Sequence, residues 1–153
     1  MSTQPDFFLY DRIGRLAAVI EVRHRLGTSG AWAAELRRNL LAHSESYRGA
    51  PLFLLVTPDI LYVWKDAPTD LEESSPPAPP DFVVDARPLF GQYFEQFDQD
   101  EKEIGRETFE SIVRFWLGDL IMDLPEVRGA AELRGSGFPE VAKDGRVYAP
   151  LAA

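Results

Sequence analysis

Apolar residues along this chain fall into short dense runs and two longer periodic stretches. Phe7-Phe8-Leu9-Tyr10 is an apolar, aromatic run. A polar break containing Gly14 separates it from the run LAAVIEVR at 16–23. Two such runs joined by a short glycine-containing loop predict a β-hairpin. The second run is apolar on both faces until Glu21, the pattern of a strand buried on both sides. After the break at 26–30, Trp32, Leu36 and Leu40 recur at helical spacing, with Ala33 and Leu41 beside them. They predict a helix from about Ala31 to His43, capped by Thr28 or Ser29, with Glu35, Arg37, Arg38 and Asn39 on its other faces. PLFLLVT at 51–57 and ILYVW at 60–64, split by the turn signal Pro58-Asp59, predict a second hairpin. A short extended piece is expected at 82–85, with helices at 88–97 and 107–123. The pattern then weakens to a short helix around 127–133, the Gly135-Ser136-Gly137 break and a tail.

The alternation of hairpins with helices predicts an α/β domain, and 153 residues without an internal repeat fit one such domain. Residues 66–81, holding five of the twelve prolines with acids and serines, predict a flexible loop outside the core. No run approaches the ~18 apolar residues of a membrane span, and the N-terminus lacks the pattern of a signal peptide. A cytoplasmic protein is the expectation. With no cysteine, thiolate metal sites, disulfides and cysteine nucleophiles are excluded.

The net charge of −9 argues against a protein that coats nucleic acid, but the charge is unevenly spread. Residues 1–50 hold seven arginines and five acids, or +2; the other 103 carry −11. A local basic face is therefore compatible with an acidic whole.

The candidate chemistry lies in that positive third. Asp6 opens the first strand and Glu21 closes the second, so a hairpin brings them side by side. Glu21 and Arg23, two apart on a strand, share a face. Two carboxylates at one place offer hard oxygens suited to Mg²⁺ or Mn²⁺. A neighbouring cation can stabilise charge developing on a phosphate. The plain structural reading is that Asp6 caps a turn and Glu21 pairs with Arg23 or Arg25. Other chemistries lack their motifs. Gly27-Thr28-Ser29-Gly30 has no P-loop ending, there is no G-x-S-x-G elbow, and His24 and His43 lack metal spacing. The three tryptophans and the stripe Phe90, Tyr93, Phe94 and Phe97 read as core. Asp119 and Asp123 read as an exposed helix face.

Pro5-Asp6, fourteen residues, then Glu21-Val22-Arg23 resembles the signature of the PD-(D/E)XK nuclease superfamily, with arginine where the family has lysine. The order hairpin, helix, strand agrees, and residues 5–65 look like small bacterial members common in cyanobacteria. The resemblance implies a restriction-endonuclease-like fold: a central mixed β-sheet flanked by helices. It implies Mg²⁺ or Mn²⁺ held by Asp6, Glu21 and the Val22 carbonyl, and DNA phosphodiester hydrolysis by an endonuclease or exonuclease. Arg23 would stand in for the family lysine, and Lys65 is a second candidate for that role. Family members carry a helix before the Asp strand, often with an extra acid; only five residues precede Asp6 here. That helix is missing, truncated, or supplied by another subunit or a later helix. The alternative is an inactive descendant, an accessory module with a protein partner or a second copy of itself.

Overall fold

Every residue of the second strand but the first is buried, and the reason is visible once the sheet is assembled. A computed structural model describes residues 4–122 and 131–150. Its strands are β1 (Phe7–Tyr10), β2 (Leu16–Val22), β3 (Leu52–Val56), β4 (Ile60–Lys65), β5 (Phe82–Asp85) and β6 (Arg146–Tyr148). They form one six-stranded sheet in the order β5-β4-β3-β2-β1-β6. Among the described residues, only β2 and β3 run parallel; the other neighbours are antiparallel. A parallel pair needs a crossover, and helix α1 (Gly30–His43) supplies it. The protein is thus α/β, with a mixed open sheet flanked by helices.

Alternation along the central strands feeds two cores. Ala18, Ile20, Leu54 and Val63 face the larger, which is closed by α2 (Arg87–Gln96), α3 (Arg106–Ile121) and α5 (Phe138–Ala142). Val19, Phe53, Leu55, Tyr62 and Trp64 face the smaller, closed by α1 and by Tyr47 from the short turn after it. Among the described residues, no helix is long and apolar enough to cross a membrane.

Three expectations change. Helix α1 buries Ala33 and Leu41 of the expected stripe together with Ala34 and Arg37, while Trp32, Leu36 and Leu40 are half-buried against the same cluster. Arg37, expected on a polar face, is 1% exposed. Its guanidinium lies 5.4 Å from the ring centres of both Phe53 and Trp64 and donates to the Pro68 carbonyl. A delocalised, weakly hydrated cation can be buried against aromatic faces where a lysine would suffer more. Trp32 in turn lies at the rim, under Arg25.

The segment 66–81 has no helix or strand, as its prolines predict, but it contributes to the core. Ala67, Leu71 and Ala78 pack on the smaller cluster. Arg37, Arg38 and Arg48 donate to the carbonyls of Pro68, Ser75 and Leu71, and Trp64 Nε1 donates to Ala78. A chain poor in its own hydrogen bonds leaves carbonyls available to such donors. The segment is a strap across α1.

The expected tail is an element. After α4 (Ala131–Gly135) and α5, β6 pairs with β1, matching Phe8 with Tyr148 and Tyr10 with Arg146. Three residues carry little intrinsic strand signal; the open edge of β1 makes them a strand. The helix expected at 127–133 and Asp123 fall largely outside the described residues.

Candidate functional site

The hairpin register pairs Phe7 with Ile20, which sets Asp6 opposite Glu21 at the end of the sheet. Glu21 is two residues beyond Val19 and shares its face, that of α1. β2 and its neighbours bring Asp6, Glu21, Val22 and Arg23 together as the sequence predicted.

Asp6 ends the antiparallel ladder. Its Oδ2 accepts the Val22 N–H at 2.8 Å, a side-chain acceptor where the ladder would continue with a backbone carbonyl. Glu21 has a partner on each oxygen. The Tyr47 hydroxyl lies 2.9 Å from Oε1, and Arg23 Nη2 lies 2.8 Å from Oε2. The Asp6 N–H also favours its charge. Arg23 Nε is buried with no partner among the described residues. Tyr47 was not legible as a site residue. It lies in a loop, twenty-six residues beyond Glu21, and only the packing of α1 against the sheet brings it here.

Burial pushes the Glu21 carboxyl up to about 7; the charge of Asp6 adds to this, and Arg23 and Tyr47 oppose it. Burial also raises Asp6, opposed by the Val22 N–H, Arg23 and Arg106. Helix α3 runs on the opposite face of the sheet, with Arg114 over the Phe7 ring, and its first turns reach this end. Glu110 there is raised by burial and then by the charge of Asp6; Arg106, 3.6 Å away, relieves it. Arg106 and Glu110 are a visible i, i+4 pair in the sequence, yet nothing local connects them with Asp6.

Lys65 is not part of the site. It pairs with Leu52, which pairs with Ala18, whereas Glu21 pairs with Leu55 and Leu55 with Tyr62. Lys65 is therefore roughly 10 Å away along the strands and roughly 10 Å across them. Asp119 accepts from the Tyr93 hydroxyl at 2.5 Å and joins α2 to α3. Of the two histidines, His43 pairs with Glu73 of the strap.

Among the described residues, no group of three or more histidines or acids could hold a metal ion. The donors for an ion at this place are thus two carboxylates and backbone carbonyl. Their hard oxygens suit Mg²⁺, which commonly binds one or two carboxylates and keeps several waters. Asp6 has one oxygen outside its bond to Val22; Glu21 would have to exchange a partner.

No family model, no curated protein and no solved structure matches this chain.

Proposed function

We propose that this chain is a divergent, metal-dependent nuclease-like protein of the restriction-endonuclease-like class, hydrolysing DNA phosphodiester bonds. The observation that carries this reading is the convergence of Asp6 and Glu21 with Arg23 at one end of the β1–β2 hairpin. Two neighbouring carboxylates, both with raised affinity for protons, are electrostatically unfavourable to the fold, which is a mark of a functional site.

Asp6 and Glu21 would hold Mg²⁺ or Mn²⁺, with the Val22 carbonyl as a further oxygen. The ion, when bound, would supply positive charge for the phosphate and polarise a water. A guanidinium is a planar cation and a donor without an acceptor, so Arg23 would offer the phosphate a positive charge and not a base. A proton leaving the attacking water has the carboxylates as its acceptors. The approach of Arg106 and Glu110 to Asp6 supports the reading that a later helix, α3, provides what a helix before the Asp strand would.

A second reading is favoured by one observation: both oxygens of Glu21 are engaged, by Arg23 and Tyr47. A carboxylate closed in this way suits an inactive descendant that serves as an accessory or protein-interaction module.

Calorimetric titration with Mn²⁺ separates the two. The nuclease reading expects binding by the wild type and its loss in Glu21→Ala; no binding by either leaves the accessory module. If metal binds without DNA cleavage, Arg23→Lys tests whether arginine silences the site, and restored cleavage would mark a decayed enzyme.

A further inference from the structure

The geometry points to Tyr47 as a positioning residue of the carboxylate pair: its hydroxyl ties the segment that carries Asp6 to the carboxylate of Glu21. The tyrosine is 2% exposed. Its ring stacks on Phe53 with centroids 6.0 Å apart, within the smaller core. Packing thus fixes where the hydroxyl sits. Phenylalanine would fill the same volume without bringing a hydroxyl into the core, where it is unfavourable unless hydrogen-bonded.

The hydroxyl lies within hydrogen-bond reach of two acceptors from distant parts of the chain, which share its one proton. One is Glu21 Oε1 at 2.9 Å; the other is the Gln4 carbonyl at 3.0 Å. Gln4 is linked to Asp6 through Pro5 alone. Pro5 is buried and its ring fixes φ, so holding the Gln4 carbonyl leaves Asp6 little freedom. Asp6 then accepts from Val22 N–H and, through its own N–H, favours the charge on Glu21. The contacts close a ring: Tyr47, Gln4, Asp6, Val22, Glu21, and back to Tyr47. Without the hydroxyl, Glu21 keeps its place on β2, but the segment 4–6 loses the bond that anchors the Gln4 carbonyl to the smaller core and so holds Asp6 less firmly against Val22.

This role deepens the carboxylate–metal reading and takes its functional meaning from it, so the test has a metal-free arm. In the apo protein, amide exchange of Val22 reports whether Asp6 is in place. Exchange of Leu54 and Leu55 in β3 reports global stability. Tyr47→Phe is expected to speed Val22 exchange about tenfold while leaving Leu54 and Leu55 unchanged, the loss of roughly one hydrogen bond's worth of order. Mn²⁺ affinity should fall about fivefold to tenfold on the same grounds. Unchanged Val22 exchange would reduce Tyr47 to a packing residue and overturn the inference. So would faster exchange with Mn²⁺ affinity equal to that of the wild type. If the wild type binds no Mn²⁺ yet Val22 responds, the positioning stands and the metal reading falls. Should β3 exchange show that Tyr47→Phe has lost its fold, Pro5→Gly provides the second variant. It leaves Tyr47 whole and slackens the link from Gln4 to Asp6, so Val22 exchange alone must rise; if it does not, the inference is overturned.

Discussion

Glu21 is a buried acid beside another acid, and this has a consequence for stability that runs against the usual behaviour of carboxylates. Its carboxyl rises from 4.5 to about 7, through burial first and the charge of Asp6 second. Between those two values the folded state holds more protons than the unfolded state. Stability therefore falls as pH rises across that window, because folding must keep an unfavourable charge buried. At 1.36 kcal/mol per pH unit the loss amounts to about 3 kcal/mol at most. Denaturant unfolding at pH 5 and pH 7.5 should show the native protein less stable at the higher pH. Glu21→Gln, which cannot ionise, should flatten that difference, although leaving Arg23 without its partner lowers stability at both values. A difference that persists in full would place the titration elsewhere. The same site illustrates how a strong ion pair and a perturbed acid coexist. Arg23 and Tyr47 supply hydrogen bonds, yet they do not recover what burial removes.

At the level of elements, the edge strand β6 depends on one glycine. Asp144 adopts a left-handed conformation, φ 59°, and turns the chain out of α5. Gly145 then passes so close to β1 that a Cβ would lie 2.3 Å from the Tyr10 carbonyl oxygen and 3.1 Å from that of Ala142. Both obstacles are backbone, so no side-chain rotation relieves them. Gly145→Ala should force β6 away from β1 and lower stability by about 1–3 kcal/mol, the range for overpacking. Chemical unfolding measures the loss. Exchange at Phe8, whose backbone faces Tyr148 of β6, locates it; an unperturbed variant would mean that the turn adjusts freely. Helix α1 offers the complementary case. Ser29 caps it by accepting the Trp32 N–H at 3.1 Å, a feature its sequence announces. The face that α1 buries was announced in part: Ala33 and Leu41 of the expected stripe are buried, and Trp32, Leu36 and Leu40 pack half-buried on the same cluster. Spacing alone favours Trp32, Leu36 and Leu40, and the aromatic pair Phe53 and Trp64 on the sheet drew Arg37 inward as well.

Across the whole molecule, the strap 66–81 connects β4 to β5 while covering α1, and arginines anchor it. Arg38 and Arg48 sit on or just beyond α1 and donate to Ser75 and Leu71. Arg48 also lies 3.7 Å from Asp70. These bonds tie a surface segment to a core that does not need them to exist. Arg38→Ala with Arg48→Ala should accelerate limited proteolysis between residues 69 and 76, while shifting global stability by only about 1–2 kcal/mol, as for a few partly exposed hydrogen bonds. Cleavage at the native rate would show that the apolar contacts of Ala67, Leu71 and Ala78 suffice. The strap also explains part of the uneven charge: three of the seven arginines in residues 1–50 point at carbonyls of the strap and not at a partner. The arginines of that third left outside the strap are Arg12, Arg15, Arg23 and Arg25.

The sequence by itself determined the strands, the principal helices and the meeting of Asp6 with Glu21. These follow from local rules: two-residue alternation, helical spacing, capping serines, and a hairpin whose register brings its own ends together. Tertiary structure decided what depends on contacts between distant segments. It made a strand of residues 146–148, turned Arg37 into the core, brought Tyr47 to Glu21 and α3 to Asp6, and separated Lys65 from them. None of these leaves a local trace, because each is set by the packing of one element on another and not by the intrinsic preference of the residues concerned. The net charge of −9 likewise describes the whole, whereas the field at the carboxylate pair is set by the few groups buried beside it.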